Sequence, residues 1–451
     1  MPRTPNVILI NCDDLGWGDL SCYGHKQHKT PHLDRLADEG MRFTDFYMAS
    51  PVCSPSRGAM LTGCYPRRIG FGDFDGRWVL FPGQPIGLNP EETTIAGMLK
   101  GQGYATRIIG KWHCGDQPEF LPTKHGFDGY YGIPYSNDMG RQAGKTDWPP
   151  LPLLRDEEVI EEQPDQVSIT ERYVEDAFRF LRANADRPFF LYFAHMYVHL
   201  PIYVQDRFLR ESENGPYGGA VAAIDWATGM LTAELERLGI ADDTIVMFTS
   251  DNGSRADFGP SNGHLRGRKG ETWEGGQRVP FIVRWPGGVP AGRVTDGLAS
   301  SIDILPTLAA LTGGRLPEDR VIDGVDLSGL LTGAAEASPR ESFAYYHYDS
   351  LEAVRSGDWK LHLRKKGEVV TELYNLRDDP GESTDRYDEE PTRVAALAEL
   401  AEAFRADLGD AAADVAGNVR PIGRVAEGRT LTEYDPGYPY YMAEYDLDDR
   451  G

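Results

Sequence analysis

Five short runs constrain this fold more than anything else in the chain. They are NVILIN from Asn6, ATRIIG from Ala105, PFFLYFAH from Pro188, TIVMFTS from Thr244 and PFIVRW from Pro280. Each is apolar almost without interruption and rich in β-branched and aromatic residues. A strand with one wet face alternates apolar and polar side chains. An unbroken apolar run of strand length is the pattern of a strand covered on both faces. Helical stretches lie between the runs, among them TIAGMLKGQG (94–103), ITERYVEDAFRFLRAN (169–184) and AVAAIDWATGMLTAELERLG (220–239). The last two stop at Asn184 and Gly239, residue types that close helices. Strand–helix alternation over roughly 310 residues predicts an α/β fold: a large, mostly parallel or mixed sheet sandwiched by helices.

Beyond SSIDILPTLAALTG (300–313) the pattern changes. ESFAYYHY, LEAVRSGDWKLHLRK and VTELYNL read as short strands separated by turns, and TRVAALAELAEAFRADLG reads as one helix. They predict a smaller antiparallel sheet with a helix. The Pro-bearing, small-residue stretch LLTGAAEASPRE (330–341) marks the junction, which gives expected domains of 1–335 and 336–451. The closing RTLTEYDPGYPYYMAEYDLDDRG, rich in Tyr and acids, reads as a surface extension.

Charge and cysteine usage remove several function classes. Against 70 Asp and Glu stand 46 Lys and Arg, a formal charge of −24, so the basic face of a nucleic-acid binder is not expected. No apolar run approaches the roughly 18 residues of a membrane span. A strand already begins at Asn6, which leaves no room for a signal peptide. As written, the expected location is cytoplasmic, or periplasmic or secreted if a signal has been removed. Cys12, Cys22, Cys53, Cys64 and Cys114 are odd in number and fit neither a disulfide framework nor a zinc pattern.

In open parallel α/β sheets, ligands bind beyond the carboxyl ends of the strands. Here those ends carry Asp13 and Asp14, then Lys111 and His113, then His195 and His199, then Asp251 and Asn252. One acidic pair alone is ordinarily a turn or cap. Two pairs ending strands of one sheet gather three carboxylates and an amide oxygen, which repel unless a cation joins them. An all-oxygen set suits Ca2+ or Mg2+ rather than zinc. His195 and His199 compete for one chemical role, the other being a packed core histidine. His199 is preferred on its HLP setting together with the resemblance described below.

The stretch SPVCSPSRGAMLTG (50–63) reads as a helix start, with Ser54 as cap, Pro55 in the first turn and Gly63 closing. Free N–H groups there favour an anion, and Arg57 adds a planar donor for oxyanions. A tyrosine-phosphatase-type loop separates its cysteine and arginine by five residues. Only Ser54, Pro55 and Ser56 intervene here, so that reading fails. A thiolate is also a poor ligand for a hard cation. Oxygen is required where the gene encodes sulfur.

Pro51 to Gly63, with its Cys-x-Pro-Ser-Arg core, resembles the signature of the formylglycine-dependent sulfatases, and GYATRIIGKWH (103–113) resembles their second signature. Likeness continues through GIPYSNDMG (132–140), SDNG (250–253), LRGRKGETWEGGQRVPFIVRWPG (265–287) and AVRSGDWKLH (353–362), to about residue 420. It is nearest the arylsulfatase A-like branch and implies an alkaline phosphatase-like sandwich. The resemblance implies that a formylglycine-generating enzyme or equivalent maturase oxidises Cys53 to Cα-formylglycine, whose hydrated aldehyde is the nucleophile. It implies that Asp13, Asp14, Asp251 and Asn252 hold Ca2+ (or Mg2+), with the oxygen of modified Cys53 in the same shell. By the same resemblance Arg57, Lys111 and Lys269 balance charge, and His113 holds the hydrate and takes its proton. His199 protonates the leaving alcohol, and Ser136 assists at the sulfate. Lys269 shares its loop with Arg266 and Arg268, so a solvated charge run is the competing account of it.

The expected reaction is hydrolysis of an aryl or carbohydrate sulfate monoester. The alternatives are a phosphonate monoester hydrolase or phosphodiesterase of the same superfamily and, less favoured, a non-catalytic sulfate-ester binder. Specificity is expected in the loops 70–87 and 141–166, where Trp78 and Trp148 are candidates to stack on a substrate ring.

Overall fold

The five apolar runs all become strands buried on both faces. In a computed structural model, which describes residues 4–440 other than Ala143, Ala256 and Pro260, they are the heart of a ten-stranded sheet. Its strands are β1 (Asn6–Cys12), β2 (Met41–Phe43), β3 (Ala105–Gly110), β4 (Gly129–Gly132), β5 (Pro152–Arg155), β6 (Glu158–Glu162), β7 (Phe189–Ala194), β8 (Thr244–Ser250), β9 (Phe281–Arg284) and β10 (Arg293–Thr295). Across the sheet the order is β10-β2-β9-β8-β1-β7-β3-β4-β5-β6. From β8 to β4 every pairing is parallel. β9 against its two neighbours, and the β4-β5-β6 edge, are antiparallel. The sheet is therefore mixed, with a parallel centre.

Alternate side chains of the central strands feed opposite cores. Ile8, Ile10 and Cys12 pack on one face, with Leu191 and Phe193. Val7 and Leu9 pack on the other, with Phe190 and Tyr192. Helices cover both faces: α2 (Ile169–Ala183) and α3 (Gly215–Arg237) on the first, α1 (Cys53–Thr62) and α4 (Ile304–Thr312) on the second. Truncating a fully buried residue such as Leu9 to Ala costs about 2–5 kcal/mol at sites of this kind.

Local differences from the sequence reading have physical causes. α3 begins at Gly215, ahead of the apolar run, because Pro216 occupies its first turn. LEAVRSGDWKLHLRK is not one strand but a hairpin that turns at Gly357 (φ +53). β2, β4, β5, β6 and β10 are too short or too polar to read as apolar runs.

That hairpin supplies two strands of a separate antiparallel sheet, made of β11 (Ser342–His347), β12 (Ser350–Ser356), β13 (Trp359–Lys365) and β14 (Glu368–Asn375). Helix α5 (Pro391–Leu408) packs against β12 and β13. Buried ion pairs join this sheet to the main body: Lys360 lies 3.0 Å from Glu274, and Arg355 lies 3.0 Å from Asp45. The chain then returns to the main body, where Gly423–Arg424 pairs with Ile86–Gly87. Residues 429–440 run mostly exposed, with Thr432 buried against the Pro150 carbonyl. The rest of the expected extension, residues 441–451, lies outside the described residues. Among the described residues no helix is long and apolar enough to cross a membrane.

Candidate active site

Strand register assembles the site. Cys12 stands opposite Ser250, so Asp13–Asp14 and Asp251–Asn252 leave neighbouring strands side by side. Gly110 stands opposite Ala194, so Lys111 and His195 leave the next pair. The strands approach so closely here that a Cβ on Gly110 would lie 1.7 Å from the Ala194 carbonyl oxygen. Asp14 (φ +61) and His113 (φ +60) take the left-handed backbone, a conformation uncommon outside glycine that concentrates at functional sites. The Asp14 N–H donates to Asp251 Oδ1 at 3.2 Å, and the Leu15 N–H donates to Ser250 Oγ at 2.9 Å.

Helix α1 points its N-terminus at these strand ends, and all ten of its residues are buried. Its cap is Val52 in extended conformation, not Ser54. The expected cap instead sits inside the first turn, where Ser54 Oγ accepts the Leu80 N–H at 3.1 Å. Pro55, third in the helix, loses no helical bond, because the first N–H groups of a helix have no partner within it. Gly63 (φ +67) closes the helix as expected.

Three cations interleave with the three carboxylates. Arg57 donates from Nε to Asp251 Oδ2 at 2.8 Å, lies 2.7 Å from the same oxygen through Nη2, and donates through Nη1 to the Lys111 carbonyl at 2.9 Å. Lys111 Nζ donates to Asp13 Oδ2 at 2.5 Å and to Ser136 Oγ at 2.6 Å. Lys269 Nζ donates to Asp14 Oδ2 at 2.8 Å. Lys269 is thus a paired site residue rather than a solvated charge, whereas Arg266 turns away to stack on Trp273 at 3.7 Å. Burial opposes ionisation of Asp14, yet Lys269 and His199 hold its carboxyl well below the usual range. Burial, then Asp13 beside it, pushes Asp251 up to about 6.

Cys53 sits 3.5 Å from Asp13 Oδ1 and is 1% exposed. Burial pushes its thiol well above the ordinary value despite Lys111 and Lys269. The encoded sulfur is therefore a neutral thiol, and it is the thiolate that attacks. His113 Nε2 is 3.0 Å from the Leu80 carbonyl, so Nε2 carries the proton and Nδ1 the lone pair. That Nδ1 is buried without a hydrogen-bond partner. Burial, then Lys111, holds the His113 ring well below its ordinary pKa.

The two competing histidines separate cleanly. His199 Nδ1 contacts the Leu200 carbonyl and Nε2 lies 3.9 Å from Asp14 Oδ2. Burial, then Lys269, lowers its pKa to about 4. His195 packs edge-on against Phe193 at 4.8 Å, and neither ring nitrogen has a hydrogen-bond partner. His199 lines the cavity above Cys53, and His195 does not. That cavity holds about 520 Å3, and Cys53, His113, Ser136, His199 and Lys269 line it. Trp78 and Trp148 also line it, as expected of their loops, together with Asp138, Lys145, Arg255 and Arg268, which the sequence reading did not assign to the site. Arg268 stood in plain view beside Lys269 but read as part of a charge run. Arg255 carried no signal beyond lying three residues after Asn252.

The strand ends form a possible acidic metal site, in a group that includes Asp13 and Asp14 but not Asp251, both of whose carboxylate oxygens are already hydrogen-bonded. Asp13, Asp14, Cys53 and His199 each offer an atom within 4.8 Å of one another. Asn252 donates from Nδ2 to Asp14 Oδ1 at 2.8 Å, while its buried Oδ1 has no hydrogen-bond partner. Such an orphaned buried acceptor is costly unless something binds it. Three carboxylates against three cations leave the site neutral by itself; a divalent cation makes it doubly positive and therefore receptive to an anion.

A buried cysteine at a helix N-terminus, beside carboxylates and a cluster of fixed cations, is an arrangement suited to a hydrolase of anionic esters. The profile of the sulfatase family matches residues 5–314, and that of the N-sulphoglucosamine sulphohydrolase C-terminal region matches residues 268–407. The chain belongs to the sulfatase family. It is 41% identical over 428 residues to human arylsulfatase A, covering 84% of this chain and 83% of that one. It is 42% identical over 380 residues to dog N-acetylgalactosamine-6-sulfatase, covering 80% and 72%. The crystal structure of Ps i-CgsB in complex with k-i-k-neocarrahexaose superposes with a TM-score of 0.80 at 29% identity, covering 89% and 93%. The protein is a sulfuric ester hydrolase, of a family that generally uses a divalent metal and formylglycine.

Proposed function

We propose that the protein hydrolyses sulfate monoesters of ring-bearing alcohols at Cys53, which a maturase first converts to formylglycine. The observation that carries this is the placement of Cys53: it lies at the cavity floor and the α1 N-terminus, 3.5 Å from Asp13 and beside the Lys111–Ser136 pair. Asp13, Asp14, Asp251 and Asn252 would hold the cation, and Ca2+ suits this oxygen set best. When present, the cation supplies positive charge at the sulfate oxygens, and formylglycine supplies a hydrated aldehyde with two hydroxyls.

The chain's own side chains do the rest. Lys269, only partly buried, and Lys111 face the sulfate as fixed cations, already oriented before substrate arrives. Arg57 braces Asp251 and the Lys111 backbone. His113, neutral with a free Nδ1, takes a proton there. His199 holds its resting proton on Nδ1, toward Leu200. An incoming anion raises its pKa, so Nε2 gains a proton and delivers it to the departing alkoxide oxygen. Kinship with N-acetylgalactosamine-6-sulfatase and with a saccharide-bound structure supports a carbohydrate as the alcohol.

Peptide mass spectrometry across Cys53 tests the conversion, and Cys53→Ala tests its need. Expected are an aldehyde in place of the thiol, and a variant that keeps its circular dichroism but loses turnover. Activity surviving in Cys53→Ala refutes the proposal. Phosphonate turnover exceeding sulfate turnover would show that the site serves the alternative reaction.

A further inference from the structure

A second cavity borders the loop that carries Lys269. It holds about 250 Å3, and Gly270, Thr272, Trp273, Glu352, Lys365 and Lys366 line it. That is less than the roughly 300–1,000 Å3 of pockets for drug-sized ligands, and enough for a small organic molecule. It shares no lining residue with the cavity above Cys53. Strands β12 and β13 of the smaller sheet supply Glu352 and Lys365, and the Lys269 loop supplies Thr272. The sulfate chemistry uses none of these three side chains.

The three are joined in one chain of hydrogen bonds. Lys365 Nζ donates to Thr272 Oγ1 at 2.8 Å, and Thr272 Oγ1 donates to Glu352 Oε2 at 2.5 Å. The other carboxylate oxygen, Oε1, accepts the Lys366 N–H at 2.6 Å, which fixes the carboxylate in place. A nucleophile linked to a base that a third group orients is the layout of an activated nucleophile. Lys366 itself is spoken for, its ammonium lying 3.0 Å from Glu271. Among the described residues Lys365 Nζ meets a neutral hydroxyl, and an indole ring at 3.9 Å, but no carboxylate partner. Burial, then the Lys360 ammonium, lowers its pKa from 10.5 to about 7 against the pull of Glu382, Glu352 and Glu372. His347, 3.9 Å from Glu352, is held below its ordinary value by burial and adds no charge at neutral pH.

We propose that Lys365 is a covalent capture site for small aldehydes, with Thr272 and Glu352 relaying its protons. The amine lone pair attacks the carbonyl carbon, a C–N bond forms, and the π pair moves onto oxygen. One Nζ proton passes through Thr272 Oγ1 to Glu352 and on to that oxygen, giving a carbinolamine. The nitrogen lone pair then expels the hydroxyl, which takes the second Nζ proton by the same route and leaves as water. An imine remains, with no change of oxidation state and no further reactant.

The test exposes the full-length protein to limiting propionaldehyde with cyanoborohydride, which reduces an imine to a stable secondary amine. Peptide mass spectrometry then reads each lysine. Lys29, 78% exposed in its side chain, is the reference, and Lys360, 0% exposed, reports unfolding. At pH 7 Lys365 is expected to label about tenfold faster than Lys29. Its rate is expected to level off above about pH 7, where an ordinary lysine still gains free amine. Thr272→Val, which keeps the shape but removes the relay, is expected to slow Lys365 about tenfold and leave Lys29 unchanged. Where labelled Lys360 shows that this variant has opened, Glu352→Gln supplies the same comparison. Lys365 labelling no faster than Lys29, or at a rate that the relay variants do not change, overturns the proposal.

Discussion

Replacing Arg57 with Met tests whether the site is held by its buried charges. Arg57 is 0% exposed and is the ion-pair partner of Asp251 Oδ2, hydrogen-bonded to it through Nε at 2.8 Å with Nη2 2.7 Å away. Met keeps most of the side-chain volume, so little cavity forms. What is lost is charge and hydrogen bonding. Removing one member of a buried pair costs roughly 3–5 kcal/mol, because the other is stranded. The Lys111 carbonyl, which accepts from Arg57 Nη1 at 2.9 Å, adds about 1 kcal/mol or more as an unmet acceptor. Asp251 retains the Asp14 N–H at 3.2 Å, which tempers the loss, so the expected destabilisation is about 4 kcal/mol. Urea unfolding of metal-free protein reads it as a lower midpoint at unchanged m. Arg57→Lys, charged but without the fork, should lose roughly half as much. A loss below about 1 kcal/mol in Arg57→Met would refute the reasoning, since Asp251 would then not depend on its partner.

Three further outcomes are expected. His199→Gln should cut kcat/KM on an alkyl sulfate by about 100-fold and spare an activated aryl sulfate, whose leaving group needs no acid; His195→Gln should not change that ratio. A chelator should abolish turnover and lower Tm, with Ca2+ or Mg2+ restoring both better than Zn2+. Asp225, whose carboxylate accepts the Leu33 N–H at 2.8 Å, is pushed by burial from an ordinary 3.8 to about 7. Its folded pKa is raised, so the stability it contributes is fully present below about pH 4 and is lost as pH rises through about 7, a span linked to roughly 4 kcal/mol at most. Asp225→Asn should flatten that part of the Tm–pH curve, and an unflattened curve would mean that another group titrates there.

The legible part of this fold is the part where burial acts on every residue of an element. β1, β7 and β8 are covered on both faces, so their sequences are unbroken apolar runs, and the chemistry at their ends stood out against them. β4 reads GYYG because its end must approach Gly110, where a Cβ on Gly132 would lie 1.9 Å from the Gly110 carbonyl oxygen; that constraint erases the strand signal. Ser54 looked like a cap because its residue type caps helices, but the extended Val52 takes that place. Among the candidate site residues, those tied to a strand end or a helix start were found from position. Arg255 and Lys145 were not, since their membership depends on where long loops fold back.

The burial of α1 also sets a clock. With Cys53 only 1% exposed at the base of a closed helix, a maturase of the kind proposed above would reach it only while the segment is still unfolded. The site closes when β8 pairs with β1, and β8 begins at Thr244, which is 244 − 53 = 191 residues further along the chain. At about 5–20 residues per second of synthesis, that delay lasts roughly 10–40 s. On the proposed conversion, maturation would be a matter of translation speed: slowing synthesis between the two segments should raise the converted fraction, and refolding unconverted protein should leave it permanently inert.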